Sequence, residues 1–363
     1  MRYKKDIVFG LYIVRQSFKE VVSSYLRLII KILKKKLKPS PGNKNQLKKR
    51  FPNSLENKTS IKIDKENRSD YEEKSYKSGR PIVFIHNTNS YYLKYSLAQA
   101  ASTNPLSNIY LLGDESNNCY DFVEHHSISD YFKRAKEFDE IYSHKSTNNL
   151  YFTKFNIQRW LILEDFLKSS KLSNCFVLDS DVMIYTDITE HAKYYEYADL
   201  TLAALKSGHT LYLNNIRALT DFNSFVSNVY NNKDNYYYSK LLAHYHAVKK
   251  YGINGGVGDM VLLQLFHKEY RGLIGDTTQI VNNSIFDQNI NISDPGFEME
   301  KGIKKIRWKD GLPYGRLLKT GEDIKFNSLH FQSRETKKLM GEYSTENNTE
   351  INLERKSTGK VNK

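Results

Sequence analysis

Cys175-Phe176-Val177-Leu178-Asp179-Ser180-Asp181 is an apolar strand that ends abruptly in two carboxylates with one small residue between them. On an extended strand residues i and i+2 point to the same side, and at the C-terminal edge of a parallel sheet that side opens onto the ligand crevice. Two carboxylates converging there repel each other unless a cation lies between them. Oxygen ligands of this kind suit Mg²⁺ or Mn²⁺ that is also held by substrate phosphates. The stretch therefore predicts a metal-dependent enzyme acting on a phosphorylated or nucleotide-linked substrate. Asp-X-Asp is also common in solvated turns. Here a second apolar run, Val182-Met183-Ile184-Tyr185, follows at once, and a surface turn has no need of burial on both sides.

Strands and helices alternate around this stretch. Pro81-Ile82-Val83-Phe84-Ile85-His86 predicts a first strand that breaks into the polar turn Asn87-Thr88-Asn89-Ser90. A helix over 91–101 follows, then the strand Asn108-Ile109-Tyr110-Leu111-Leu112, a helix near 129–138 and a longer one from about 153 to 168. This order predicts an α/β fold with a mostly parallel sheet flanked by helices. Ligands of such sheets bind beyond the carboxyl ends of the strands. The turn His86-Asn87-Thr88 and the pair Asp179 and Asp181 are therefore expected at one edge, the turn being a natural seat for a nucleotide base. Neither Gly-X-Gly-X-X-Gly nor Gly-X-X-X-X-Gly-Lys occurs, so neither a dinucleotide Rossmann site nor a P-loop is supported.

The formal charge of +14 raises the question of nucleic acid, and its distribution answers it. Residues 1–50 carry 15 Lys or Arg against Asp6 and Glu20, leaving 40 basic and 39 acidic side chains in the remaining 313 residues. A nearly neutral body predicts no nucleic-acid partner. In the basic segment Ile7, Leu11, Val14, Phe18, Val22, Tyr25, Ile29 and Ile32 recur at helical steps with Arg15, Lys19, Arg27 and Lys31 between them. Charge interrupts this pattern too often for a span, which needs about 20 largely apolar residues. Residues 1–38 read as a basic amphipathic helix on an anionic membrane surface, with packing on its own domain or on another copy as the alternative. Residues 39–80 read as a flexible linker, 81–340 as one catalytic domain and 341–363 as a disordered tail. Two cysteines, Cys119 and Cys175, cannot frame a disulfide scaffold, and with Cys175 in a buried strand they point to a reducing, cytoplasmic setting at the inner membrane face.

Five spaced pieces carry a likeness to a known family. They are Arg159 in Phe155-Asn156-Ile157-Gln158-Arg159-Trp160, the pair Asp179 and Asp181, and Ser207-Gly208 with the trailing Leu211-Tyr212-Leu213-Asn214. Asp259-Met260, opening Val261-Leu262-Leu263-Gln264-Leu265-Phe266, and Leu329-His330-Phe331-Gln332 with Lys337-Lys338 complete the set. Over 81–340 the chain resembles the GT-A nucleotide-sugar glycosyltransferases, and more particularly the retaining enzymes of glycosyltransferase family 8 and related bacterial glycosyltransferases. The resemblance implies a metal bound by Asp179, Asp181 and His330, donor contacts from Arg159, Asp259, Ser207 and Gly208, and a lysine on the diphosphate. It also implies retention of anomeric configuration. Lys206 stands where the family has Asn, Met260 where it has Gln and Ser333 where it has Gly, and the lysine lies one residue late.

The residues carry chemical arguments of their own. Two carboxylates and one imidazole around a divalent ion leave positions free for two phosphate oxygens, which stabilises a departing nucleoside diphosphate. Lys337 or Lys338 is placed to meet a phosphate as a point charge, Lys337 being preferred. Asp259 follows Asn254-Gly255-Gly256-Val257-Gly258, where glycines permit unusual backbone angles and close ligand approach; helix capping and a donor-sugar contact are both open to it. The aromatic run from Tyr236 to Tyr245 suggests either an acceptor platform or core. His209, His244, His246 and His267 show no metal spacing. The expected activity is metal-dependent transfer of a sugar from a nucleoside-diphosphate sugar to a glycan, lipid-linked or other hydroxyl acceptor. Another metal-dependent nucleotidyl or phosphoryl transferase, and a non-catalytic glycosyltransferase-like protein, are the rivals.

Overall fold

A computed structural model of the chain describes residues 79–344. The expected membrane-surface helix at 1–38, nearly all of the linker at 39–80 and most of the tail at 341–363 lie outside these residues. Among the described residues, no helix is long and apolar enough to cross a membrane.

The first half builds β1 (Ile82–Ile85), α1 (Leu93–Thr103), β2 (Ile109–Gly113), β3 (Glu124–Ser127), α2 (Lys133–Phe138), α3 (Leu150–Ser169) and β4 (Cys175–Leu178). After β5 (Val182–Ile184) and α4 (Ile188–His191) come β6 (Leu200–Leu202), β7 (Thr210–Leu213), α5 (Ile216–Asn231), α6 (Tyr236–Lys250), α7 (Asp259–Glu269) and β8 (Ile274–Asp276). The central sheet has the order β3-β2-β1-β4-β7-β6-β8. Strands β1 to β4 are mutually parallel, β7 alone runs against its neighbours, and β6 and β8 pair parallel beyond it. This is the predicted mostly parallel α/β sheet.

Strand periodicity explains the two cores on its faces. Val83, Tyr110, Leu112, Cys175, Val177, Leu211 and Leu213 point to one side, where α3, α5 and α7 bury Leu163, Phe222 and Phe266. Ile82, Phe84, Ile109, Leu111, Phe176, Leu178 and Tyr212 point to the other, against Leu93, Leu97 and Ala100 of α1. The long helix α3 starts earlier than its apolar period suggests, because the Asn149 side chain caps the Tyr151 and Phe152 amides.

A second sheet was legible only in part. It takes the order β12 (Arg307–Lys309), β13 (Leu312–Arg316), β14 (Asp323–His330) and β5, with β9 (Ser284–Phe286) added parallel to β14, while β10 (Met299–Glu300) and β11 (Ile303–Lys304) pair as a separate hairpin. The apolar run after Asp181 is thus β5, which leaves the central sheet to pair with β14, Val182 opposite His330. The Asp-X-Asp stretch is correspondingly not extended: β4 ends at Leu178, and Val182 N donates to Asp179 O at 3.0 Å across a tight turn. The domain also runs on beyond Met340. A turn at Met340–Tyr343 packs Tyr343 on Trp308 and Phe331, and the Tyr185 hydroxyl donates to the Tyr343 carbonyl.

Candidate active site

The β4 turn delivers Asp179 and Asp181 to different neighbours. Asp179 continues the β4 face that looks toward α3, and Arg159 on α3 donates Nη1 to its Oδ1 at 2.6 Å. The other arm of that guanidinium, Nη2, donates to Asp259 Oδ2 at 2.8 Å, and Trp160 Nε1 donates to the same oxygen at 3.3 Å. Asp259 is the first residue of α7 rather than its cap, a place held by Gly258. Burial works against the Arg159 charge, but Asp179 and Asp259 outweigh it and raise its affinity for the proton. Burial, opposed by Arg159 and reinforced by Asp181, raises the Asp179 carboxyl.

Asp181 faces the second sheet. Its Oδ1 lies 3.5 Å from His330 Nε2 and its Oδ2 3.0 Å from Lys337 Nζ, at the end of the short helix α8 (Arg334–Lys337). Burial raises this carboxyl, yet the hydrogen bond from His330 and the nearby Lys337 charge hold it well below the usual range. His330 is pushed the opposite way, burial lowering it and Asp181 raising it further.

His86 completes the cradle. Its Nδ1 lies 2.8 Å from Ser180 Oγ and its Nε2 2.9 Å from Ser90 Oγ, and burial lowers its basicity. The expected meeting of the β1 turn with the carboxylate pair is therefore observed. His86, Asn87, Arg159, Asp179, Asp181, Ser207, Asp259, His330 and Lys337 all line one cleft of about 900 Å³. Thr88 and Gly208 are not part of its lining. Thr88 donates its amide to Asp114 Oδ2 at 2.7 Å, and a Cβ on Gly208 would lie 2.3 Å from the Trp160 ring, so the glycine there admits the indole. Gly256, at φ 148°, lets loop 254–258 run beside Lys145 and Ser146, where a Cβ would meet backbone at 2.4 Å.

Several supports escaped sequence reading. His209 has no metal spacing in sequence, yet its ring stacks on His330 at 4.1 Å. His209 Nε2 is 3.1 Å from the Asp287 carbonyl and its Nδ1 2.9 Å from Ser207 Oγ. The Asp287 carboxylate accepts the His330 amide at 3.1 Å and the Lys304 ammonium at 2.7 Å, an ion pair in which both side chains are at most 1% exposed. A third contact, His330 Nδ1 to the Gln288 carbonyl at 2.8 Å, fixes the ring with Nε2 toward Asp181. Only the long-range fold reveals this clamp. The tyrosine run at 236–245, one candidate acceptor platform, lies on α6 outside the cleft lining, with Tyr238 and Leu241 buried in the core. Tyr151 and Phe152 line the cleft instead, 74% and 60% exposed.

The donor set at this turn, two carboxylates and an imidazole whose Nδ1 is tied to a carbonyl, has the chemistry to hold Mg²⁺ or Mn²⁺. Among the described residues, no three His, Cys, Asp or Glu side chains converge as a metal cluster, and Arg159 and Lys337 balance the carboxylates.

No protein-family model and no curated protein sequence matches the chain. Among solved structures it is similar to mouse xyloside xylosyltransferase 1 in its apo form, at 13% identity and a TM-score of 0.39, over 57% of this chain and 88% of that one. It is also similar to the glycosyltransferase GlyE of Streptococcus pneumoniae TIGR4, at 12% identity and a TM-score of 0.35, over 73% of this chain and 60% of that one. A third likeness is to the PaToxG glycosyltransferase, at 12% identity and a TM-score of 0.30, over 53% of this chain and 69% of that one. At these scores the reading of the site rests on its own residues.

Proposed function

We propose that this chain transfers a sugar from a nucleoside-diphosphate sugar to a hydroxyl of a glycan or lipid-linked acceptor. The observation that carries the reading is the single cleft where Asp179, Asp181, His330, Lys337 and Arg159 meet beyond the carboxyl end of β4. Mixed charge of this kind suits a diphosphate: Lys337 offers a point charge, and the β1 turn at His86 and Asn87 offers a seat for the base. Asp259, held by Arg159 and Trp160 in the cleft wall, would meet the donor sugar in this reading. Mg²⁺ or Mn²⁺ held by Asp179, Asp181 and His330 would supply Lewis-acid stabilisation to the departing diphosphate. Retention of configuration joins this reading through the family resemblance. The basic amphipathic pattern of residues 1–38 supports a peripheral position on the cytoplasmic face of a membrane.

A second reading, favoured by the Lys337 to Asp181 ion pair, is transfer without metal, with Lys337 as the cation at the diphosphate. Donor hydrolysis separates these possibilities. Across a panel of UDP-, GDP- and dTDP-sugars with Mn²⁺, slow release of free sugar and nucleoside diphosphate is expected, with loss on chelation and in Asp181→Ala. Hydrolysis that persists in Asp181→Ala overturns the site assignment, and insensitivity to chelation favours the metal-free reading. Nucleoside monophosphate and sugar phosphate as products would point to a phosphoryl or nucleotidyl transferase instead. For the membrane, deletion of residues 1–38 is expected to abolish flotation with anionic liposomes, and unchanged flotation would count against that helix.

A further inference from the structure

Lys325 stands five residues before His330 on β14, about 16 Å away at about 3.3 Å per residue, and lines a second cavity of about 340 Å³. The cavity lies where α4, the turn at Asn282-Asn283 and strands β13 and β14 meet. Asn327 lines it and is only 1% exposed. Its Nδ2 donates to His191 Nε2 and Ser284 Oγ, both at 2.9 Å, while its Oδ1 is buried without a hydrogen-bond partner.

The charges around it cancel. Asp187 and Glu190 face Lys193 and Lys325, and burial holds His191 neutral, its basicity lowered to about 4 with help from Lys325 and Lys193. The half-buried Lys325 ammonium pairs with no carboxylate among the described residues. Tyr194 and Tyr314 add two rings to the wall. An anion entering here meets two carboxylates, a cation meets two ammoniums, and an apolar ligand leaves Lys325 unsatisfied. Sugar hydroxyls both donate and accept, so they answer the ammonium and the carboxylates together, while the C–H face of the ring packs on tyrosine.

We infer that this cavity is a saccharide-binding site, separate from the cleft, that takes one or two residues of a neutral glycan. It stands independently of the reaction at Asp179 and Asp181. Saturation-transfer NMR on the full chain, with the methyl β-glycosides of glucose, galactose and N-acetylglucosamine as probes, tests it. Transfer to at least one of them is expected, weakened at least about tenfold in a Glu190→Gln/Tyr314→Ala variant, which removes a charged hydrogen-bonding group and a ring. Tyr236→Ala, 62% exposed on α6 and lining neither this cavity nor the cleft, is expected to leave the signal unchanged, whereas loss in Tyr151→Ala would place the sugar in the cleft. Should the double variant melt early, Glu190→Gln alone, at an exposed position, replaces it. Absence of transfer from every probe, a signal insensitive to the cavity variants or lost in Tyr151→Ala, or displacement by inorganic phosphate would each overturn the assignment.

Discussion

Asp179 and Asp181 are two residues apart and belong to different parts of the molecule. Asp179 is bolted to the central sheet's helices: a bridging guanidinium joins it to Asp259 across α3 and α7, with the indole of Trp160 against the guanidinium and Asp259. Asp181 answers to the second sheet through a histidine and through a lysine whose side chain keeps 22% of its exposure. The Arg159 side has a buried charge at its centre whose removal strands two carboxylates. The Lys337 side has a partner that can swing into solvent and give way to a ligand. Cohesion and exchange are thereby divided between adjacent residues of one turn.

The largest expected effect tests the cohesive half. Arg159→Met leaves Asp259 in the interior, and Asp179 at the cleft wall, without their cation, and urea unfolding should record a loss of about 3–5 kcal/mol. Arg159→Lys should recover only part of it, since an ammonium cannot bridge two carboxylates with a planar fork. A loss under about 1 kcal/mol would erase the distinction between the two sides.

The same helix carries a second buried charge, which gives the pH dependence. Glu164 on α3 is fully buried and accepts from Lys168, Asn223, Thr220 and Arg134. Burial raises this carboxyl, but those hydrogen bonds win and bring it down to about 2. A carboxyl depressed by folding contributes stability that is complete above its unfolded value near 4.5 and is lost as pH falls toward 2. About 3 kcal/mol should disappear over that window in unfolding measurements, and Glu164→Gln should flatten the slope there. Gly208→Ala comes next: a Cβ 2.3 Å from the Trp160 ring forces the indole aside, for a loss of about 1–3 kcal/mol by thermal or urea unfolding.

What sequence revealed follows the same division. The Arg159 side lies on a long periodic helix and an apolar strand, where local pattern and burial coincide, so α3, β4 and the carboxylate pair were legible before any coordinates. The second sheet was not, beyond β14, because β9 and β12 have three residues each and owe their strand conformation to distant partners. His330 entered through family resemblance, whereas the clamp that aims it could not. Asp287 and Lys304 lie in segments without period, and a buried ion pair 17 residues apart leaves no local mark. Ligand spacing passes over His209, since that criterion is blind to stacking. The tyrosines of α6 were ambiguous since aromatic residues serve cores and sugar platforms alike.

The smallest effect on stability belongs to Lys337, where the two halves differ most. Its ammonium sits 3.0 Å from Asp181 and 4.9 Å from the centre of the Tyr92 ring, and both contacts survive partial exposure. Burial lowers its proton affinity, but Asp181 raises it by more, so the group is a cation throughout the neutral range. His330 continues to face Asp181 if the lysine is lost, so no carboxylate is left without a neighbour. Lys337→Met should therefore cost less than about 1 kcal/mol in urea unfolding. Binding of inorganic pyrophosphate by calorimetry should still weaken, since the diphosphate then loses a point charge in the cleft. A stability loss as large as that of Arg159→Met, or pyrophosphate binding left unchanged, would place Lys337 with the structural cations and remove the exchangeable half of the site.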